Sequence, residues 1–318
     1  MKRYAIDFIA IPAAQVHGIG LRTLPRNLWQ LWRGVLASRK ILHQFHPDVL
    51  LFTGGYLAVP MAVAGHAVPT LLYVPDIKPG LALKALSYLA DRIAITAEES
   101  RTYFSRRMPL SLTGYPTRAD LKDWMPAQAR QKLGLQEGRP VVLVSGGSKG
   151  SRSINRALLG KLPELLAKAQ VIHISGETDW PEIQAEITHL PADLAASYHA
   201  MPYLHEMGAA LTVADLVISR SGASTLGEYP LFGLPAILSP YPYHWDYQKV
   251  NAAYLVKRGG AIMIENDHLA NELLPTVLSL LDDPSRLHTM RAAMGGLAHS
   301  NAAQEIATLM KTLATRPV

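Results

Sequence analysis

Between Val141 and Ile264 the chain repeats one pattern: three to five mostly apolar residues, then a glycine- or serine-rich turn or a helical stretch, then the next apolar run. Short apolar runs separated by helix-length segments are what a parallel sheet covered on both faces by helices requires. The strands predicted here are Val141–Ser145, Val171–Ile174, Leu216–Ser219, Ala236–Leu238 and Ala261–Ile264, with helices near Leu269–Leu281, Pro284–Met294 and Ala302–Leu313 closing the chain. The first part alternates likewise, with strands Tyr4–Ile11, Val49–Phe52, Thr70–Tyr73 and Arg92–Thr96 and helices Pro25–Phe45, Leu57–Ala64, Gly80–Leu89 and Glu98–Arg106. The economical α/β reading is two Rossmann-like domains joined near Arg118–Gln128, at residues 1–120 and 121–300. Residues 301–318 are expected to form a helix packing back toward the first domain.

A length of 318 residues supports two cores. The chain has no cysteine, which removes disulfides, thiolate zinc sites and a cysteine nucleophile. No Lys, Arg, Asp or Glu occurs from Val49 to Pro75, a stretch long enough to span a bilayer. Gly54–Gly55, Pro60 and Pro69 divide it, so it reads as strand, short helix and strand in a buried core. Up to His46 there are seven Lys or Arg against the single Asp7, a local excess equal to the formal +6 of the whole chain. Helix Pro25–Phe45 lies in this region, with Leu28, Leu31, Trp32, Val35 and Leu42 on one face and Trp29 and Leu36 beside it. A basic helix with tryptophans suits an anionic membrane surface; the plainer reading makes the apolar face core and the cations solvated. No nucleic-acid motif accompanies the charge.

Phosphate-type turns sit at matching places. Val217–Glu228 reads as strand, polar turn and helix start, where unpaired amides and the helix dipole attract a phosphate. Gly146–Gly150 follows the first strand of the second domain, and Thr53–Tyr56 is a comparable turn in the first. Neither GxxxxGK[ST] nor GxGxxG spacing is present. Each turn alone is as readily explained by turning and capping. Together they point to a phosphorylated ligand held between two domains.

GGSKGSRSIN (Gly146–Asn155), YLHEM (Tyr203–Met207), ADLVISRSGASTLGE (Ala214–Glu228), GLPAILSPYP (Gly233–Pro242) and DYQKVNA (Asp246–Ala252) resemble the MurG-type glycosyltransferases of family 28, as do TGGY (Thr53–Tyr56), PG (Pro79–Gly80), ADRIA (Ala90–Ala94) and TGYPTR (Thr113–Arg118). The resemblance implies a GT-B fold, two Rossmann-like domains with a cleft between them. It also implies transfer of N-acetylglucosamine from UDP to an undecaprenyl-diphosphate-linked muramyl peptide. On that basis Leu204, by its backbone, and Met207 are expected at uracil. Ser148, Gly146, Gly147, Gly150 and the turn Ser221–Gly222–Ala223 are expected at the diphosphate. Glu228, a two-oxygen acceptor, falls to the ribose hydroxyls. Gln248 is expected to read the donor sugar with Asn251 in the same motif, and Arg118 to pair with phosphate through its fork. Gly54, Gly55 and Tyr56 are expected on the acceptor side.

Family members place a strand, a GGTGGH-type loop and a helix before the segment matching Tyr4–Ile11, and this chain has none of them. The first domain is therefore expected to be incomplete, its sheet lacking a middle strand and Tyr4–Ile11 lacking a neighbour. A truncated product or mis-assigned start would account for this, as would a split enzyme completed by a separate N-terminal subunit. Where the family has HEQN, this chain reads Tyr73–Val74–Pro75–Asp76, so Asp76 is the candidate general base, with turn capping as its plainer role. His17 is a further loop histidine that could face the cleft.

The expected reaction is a single inverting displacement in which backbone amides at Gly146–Ser148 and Ser221–Ala223 stabilise the leaving diphosphate, with no metal and no cofactor beyond the donor itself. The expected location is the cytoplasm, peripheral on the inner face of the membrane. Competing readings are transfer to another lipid acceptor, a UDP-N-acetylglucosamine 2-epimerase, and a UDP-sugar-binding remnant without catalysis.

Overall fold

The computed structural model describes residues 6–14, 20, 22–147, 150–242 and 246–315. The chain divides into two compact units, residues 1–113 with 303–318, and residues 114–302.

In the first unit α1 (Leu24–Phe45) precedes β1 (Leu50–Phe52), a short 3-10 turn over Tyr56–Ala58, α2 (Val59–Ala64), β2 (Thr70–Val74), α3 (Leu81–Leu86), β3 (Arg92–Ile95), a 3-10 stretch over Glu98–Tyr103 and β4 (Leu110–Leu112). The strands form a parallel sheet in the order β1-β2-β3-β4. Every residue of β2 is buried, as helices on both faces demand. Phe52, Leu72, Val74, Ile93 and Ile95 meet Ala62, Leu83 and Leu86 in the core. The uncharged run from Val49 to Pro75 is this β1–α2–β2 core, and among the described residues no helix is long and apolar enough to cross a membrane.

Among the described residues of this unit one expected strand is absent and one strand is present that was not expected. Of the expected strand Tyr4–Ile11, Tyr4 and Ala5 lie outside the described residues and Ile6–Ile11 is not a strand: it has no ladder partner, and Ile6, Phe8 and Ile9 are more than 60% exposed. An alternating apolar run forms a strand only where another strand accepts its hydrogen bonds. The short β4, with a serine at its centre, had no apolar run to announce it. β1 stands at the edge of the sheet, and no described strand pairs with its outer side.

Helix α1 runs as expected, but its buried face differs. Gly34, Val35 and Ser38 face inward, with Gly34 against Pro60 and the Pro12 carbonyl, where a side chain would collide. Leu28 (53% exposed), Trp29 (61%), Trp32 (50%) and Leu36 (47%) face out. At 100° per residue these four form one stripe about 100° wide, with Lys40, Arg33 and Arg26 along its edge.

The second unit contains α4 (Pro126–Leu133), β5 (Val141–Ser145), α5 (Arg152–Leu159), α6 (Leu162–Leu166), β6 (Gln170–Ile174), α7 (Trp180–His189), α8 (Ala192–Ala195), β7 (Tyr198–Met201), α9 (Met207–Val213), β8 (Leu216–Ser219), α10 (Thr225–Phe232), β9 (Ala236–Leu238), α11 (Tyr247–Lys257), β10 (Ala261–Met263), α12 (Leu269–Leu281) and α13 (Pro284–Gly295). The last helix, α14 (Ala302–Ala314), falls almost wholly within the first unit. Six parallel strands run β10-β9-β8-β5-β6-β7. Strand β7, reading Tyr-His-Ala-Met, was not foreseen. Val142, Val144, Val171 and Ile218 pack with Ile154, Leu158, Leu273 and Val277 in one core. Burying each such side chain contributes about 1.5–3 kcal/mol.

Candidate active site

In the second sheet β5 leads to β6 and β7 on one side, and the chain then returns to place β8 on the other. The turns after β5 and β8 therefore diverge from adjacent strand ends, and a crevice opens at the carboxyl ends of the strands between them. A cavity of about 1000 Å³ occupies that place, lined by Ser145, Ile174 and Ser219 at strand ends. Its size suits a nucleotide sugar.

Gly146, Gly147 and Gly150 line one wall, and Gly222 with Glu228 the other. Gly150 has φ +77° and packs against the Ser175 carbonyl, so the backbone comes to the cavity with no side chain between. Leu204 and Met207 border the cavity beside Tyr203 and His205, whose rings meet edge to face at 4.8 Å. Arg118 and Gln248 complete the wall, with Gln248 Oε1 accepting from the Tyr241 amide at 2.9 Å. Ser148 lies outside the described residues, as does His17.

Three residues expected at the donor stand behind the lining. Ser221 is fully buried and its hydroxyl donates to the Gln248 carbonyl at 2.8 Å; Asn251, also fully buried, donates through Nδ2 to the Ser221 carbonyl at 3.1 Å. They join the turn after β8 to α11, which leaves the amides of the turn rather than the Ser221 hydroxyl to meet an anion. Ala223 is half-buried and outside the cavity lining.

Glu228, in the first turn of α10, is half-buried, and its carboxylate has no hydrogen-bond partner among the described residues. Burial raises its pKa, and the charge of Arg118 pulls in the opposite direction. Gly227 beside it packs against the ring of Tyr115, which fixes the start of α10. A carboxylate held out of water at a cavity wall is suited to accept hydrogen bonds from ligand hydroxyls.

Arg220 and Arg152 also border the cavity and were not foreseen. Arg220 Nη1 donates to the Ser239 and Pro240 carbonyls at 2.9 and 3.0 Å, and Nη2 to Ser153 Oγ at 2.6 Å and Asn266 Oδ1 at 2.9 Å. It ties β8, β9 and α5 together. A cation at the end of a buried strand is the sequence signal that would have identified it.

In the first unit Asp76 lies half-buried in the turn after β2, and Gly54 (φ +111°), Gly55 (φ +81°) and Tyr56 follow β1. All four stand at the carboxyl ends of that unit's strands.

The model of the glycosyltransferase family 28 C-terminal domain matches residues 141–309. The chain belongs to glycosyltransferase family 28. A Roseiflexus protein named UDP-N-acetylglucosamine–N-acetylmuramyl-(pentapeptide) pyrophosphoryl-undecaprenol N-acetylglucosamine transferase is 39% identical over 99% of this family 28 chain and 80% of its own length. A protein of the same name from Desulforudis audaxviator is 35% identical over 99% of this chain and 86% of its own. Among solved structures, MurG of Acinetobacter baumannii aligns with TM-score 0.73 at 24% identity, over 98% of this chain and 86% of that one. The UDP-GlcNAc 2-epimerase from Neisseria meningitidis, bound to UDP-GlcNAc, aligns with TM-score 0.65 at 14% identity, over 88% and 81%. These likenesses establish the GT-B fold for the family 28 chain. Transferases and epimerases share it, so the fold does not choose between them, whereas the sequence identity points to the transferases.

Proposed function

We propose that this family 28 chain transfers N-acetylglucosamine from UDP-N-acetylglucosamine to a muramyl peptide on undecaprenyl diphosphate, a step of peptidoglycan precursor synthesis. Near full-length identity of 39% to a protein of that name carries the reading. One cavity lined by the glycine turn, Glu228, and Leu204 with Met207 supports it, and in this reading they meet diphosphate, ribose and uracil respectively. An acceptor hydroxyl attacks the anomeric carbon from the face opposite UDP, its proton passes to a base, and UDP leaves with both electrons of the broken bond. Asp76 is our candidate for that base. Amides after β5 and β8 meet the charge gathering on the diphosphate, so the proposed reaction draws on no metal or cofactor. Incubation with sugar-labelled UDP-N-acetylglucosamine and the lipid-linked muramyl pentapeptide is expected to move label into the lipid fraction with release of UDP. Label kept on the nucleotide, or converted to the 2-epimer, would overturn this.

We propose further that α1 lays its outer stripe on an anionic lipid surface, which makes the protein peripheral to the membrane on its cytoplasmic face. Leu28, Trp29, Trp32 and Leu36 supply the apolar contact, and Arg26, Arg33 and Lys40 the attraction to acidic headgroups. Replacing both Trp29 and Trp32 with serine is expected to reduce co-sedimentation with phosphatidylglycerol vesicles by about tenfold or more. Salt should weaken the wild type further, and equal binding to phosphatidylcholine would contradict the charge argument. The outer side of β1, which no described strand pairs, also has room for a further strand-bearing segment as a partner of the first unit, and a separate N-terminal subunit is our candidate for it.

A further inference from the structure

Helix α5 begins at the cavity wall, directly after Gly150. Its N-cap residue, Ser151, lines the cavity and is only 7% exposed, yet its Oγ has no hydrogen-bond partner among the described residues. A buried hydroxyl without a partner is costly unless a ligand supplies one. Next to it, Arg152 is held from behind. Asp179, 6% exposed at the N-cap of α7, accepts from Arg152 Nε at 3.0 Å.

That carboxylate is itself fixed by a buried chain. Asn155 Nδ2 donates to Asp179 Oδ2 and to the Ser175 carbonyl, both at 2.9 Å. With its amide hydrogens so used, Asn155 Oδ1 accepts, and its partner 3.0 Å away is His173 Nε2. The proton of the neutral ring is thereby placed on Nε2, which leaves Nδ1 to accept from the Tyr198 hydroxyl at 2.6 Å. His173 is fully buried, and desolvation, opposed by the charge of Asp179, lowers its pKa to about 4, so the ring is neutral near pH 7. Burial raises the pKa of Tyr198, keeping its hydroxyl protonated as a donor. The chain thus runs from β7 through β6 and α5 to the cavity. It engages only Nε of Arg152, whose two terminal nitrogens have no partner among the described residues.

We propose that Ser151 and Arg152 bind the donor's diphosphate, and that Tyr198, His173, Asn155 and Asp179 are positioning residues that hold the Arg152 fork toward it. This rests on the donor-site reading given above. A guanidinium gripped at Nε presents two parallel N–H groups to phosphate oxygens without having to be ordered when the ligand arrives.

Calorimetry on the full chain with UDP and with uridine tests the assignment. Arg152 has a side chain 60% exposed and Asp179 keeps its hydrogen bond from Asn155 without it, so Arg152→Ala is expected to leave the fold intact. It is expected to weaken UDP about tenfold, and Ser151→Ala about threefold, while uridine is unchanged in both. Tyr198→Phe, which removes only the far end of the chain, is expected to weaken UDP about threefold, again without effect on uridine and with no further loss in the Arg152→Ala background. UDP binding by Arg152→Ala and Ser151→Ala equal to wild type would overturn the proposal. So would uridine weakening as much as UDP, or a Tyr198→Phe effect that persists undiminished without Arg152. If the wild type binds no UDP and Glu228→Ala is indistinguishable from it, the donor-site reading falls too; normal UDP binding by wild type and Arg152→Ala alike overturns this proposal alone.

Discussion

Replacing Glu228 with alanine is expected to lower the affinity for UDP-N-acetylglucosamine about 100-fold, since two hydrogen bonds from ribose hydroxyls to a carboxylate are lost at about 1.5 kcal/mol or more each. The free protein should not be destabilised. The Glu228 carboxylate has no hydrogen-bond partner among the described residues, and burial penalises its charge more than Arg118 offsets it. Its thermal midpoint should therefore stay level or rise, as happens when a group kept for binding is removed. Acid gives a second signature. The folded-state pKa of Glu228 is raised above its unfolded value, so above that pKa the free protein bears the full cost of the buried charge, and protonation as pH falls relieves it. Donor binding moves the other way, because hydroxyls need the carboxylate as acceptor and affinity falls as pH drops through the raised pKa. The diester phosphates of the donor remain ionised throughout and add no slope of their own. Titrations at several pH values should show this fall in the wild type and not in Glu228→Ala; a parallel fall in both would remove Glu228 from the ribose site.

Gly150→Ala is expected to damage both stability and donor binding. At φ +77° an L-residue is strained, and its Cβ would meet the Ser175 carbonyl and the Gly176 backbone, neither of which can turn aside as a flexible side chain can. We expect a loss of about 2–4 kcal/mol, read as a fall of roughly 5–15 °C in thermal midpoint, with UDP-N-acetylglucosamine affinity down about tenfold as the turn after β5 shifts. Gly138 is the control. It has a similar φ of +74° but open space around its missing side chain, so Gly138→Ala should cost about 1 kcal/mol and leave binding unchanged. Equal effects at the two positions would show that backbone strain alone, and not the approach to Ser175, decides the result.

How much the sequence disclosed depended on whether a feature was local. Strand β8 and helix α12 fall where expected because an apolar run and its period are contained in neighbouring residues. Strand β7 escaped notice because Tyr-His-Ala-Met owes its place to pairing with β6. Conversely, Ile6–Ile11 alternates like a strand and is not one, since strand character also needs a partner. The cavity walls were legible as turns after strands. Ser221 and Asn251, both expected at the donor, stand instead in the layer behind the cavity lining, because residue type does not tell which way a side chain faces. The buried chain ending on Arg152 gathers residues from β7, β6, α5 and the start of α7, which no spacing along the sequence brings together.

The outer side of β1 has a consequence of another kind. A parallel strand has a line of amide and carbonyl groups on each side, and among the described residues only one line of β1 is paired, by β2. The other meets no described strand, and Leu51 on β1 is 39% exposed. Such an edge adds any extended segment of compatible length, whether from a partner or from another copy of the chain. In general, an uncapped edge of this kind favours edge-to-edge assembly as concentration rises, and a segment that caps it opposes that assembly.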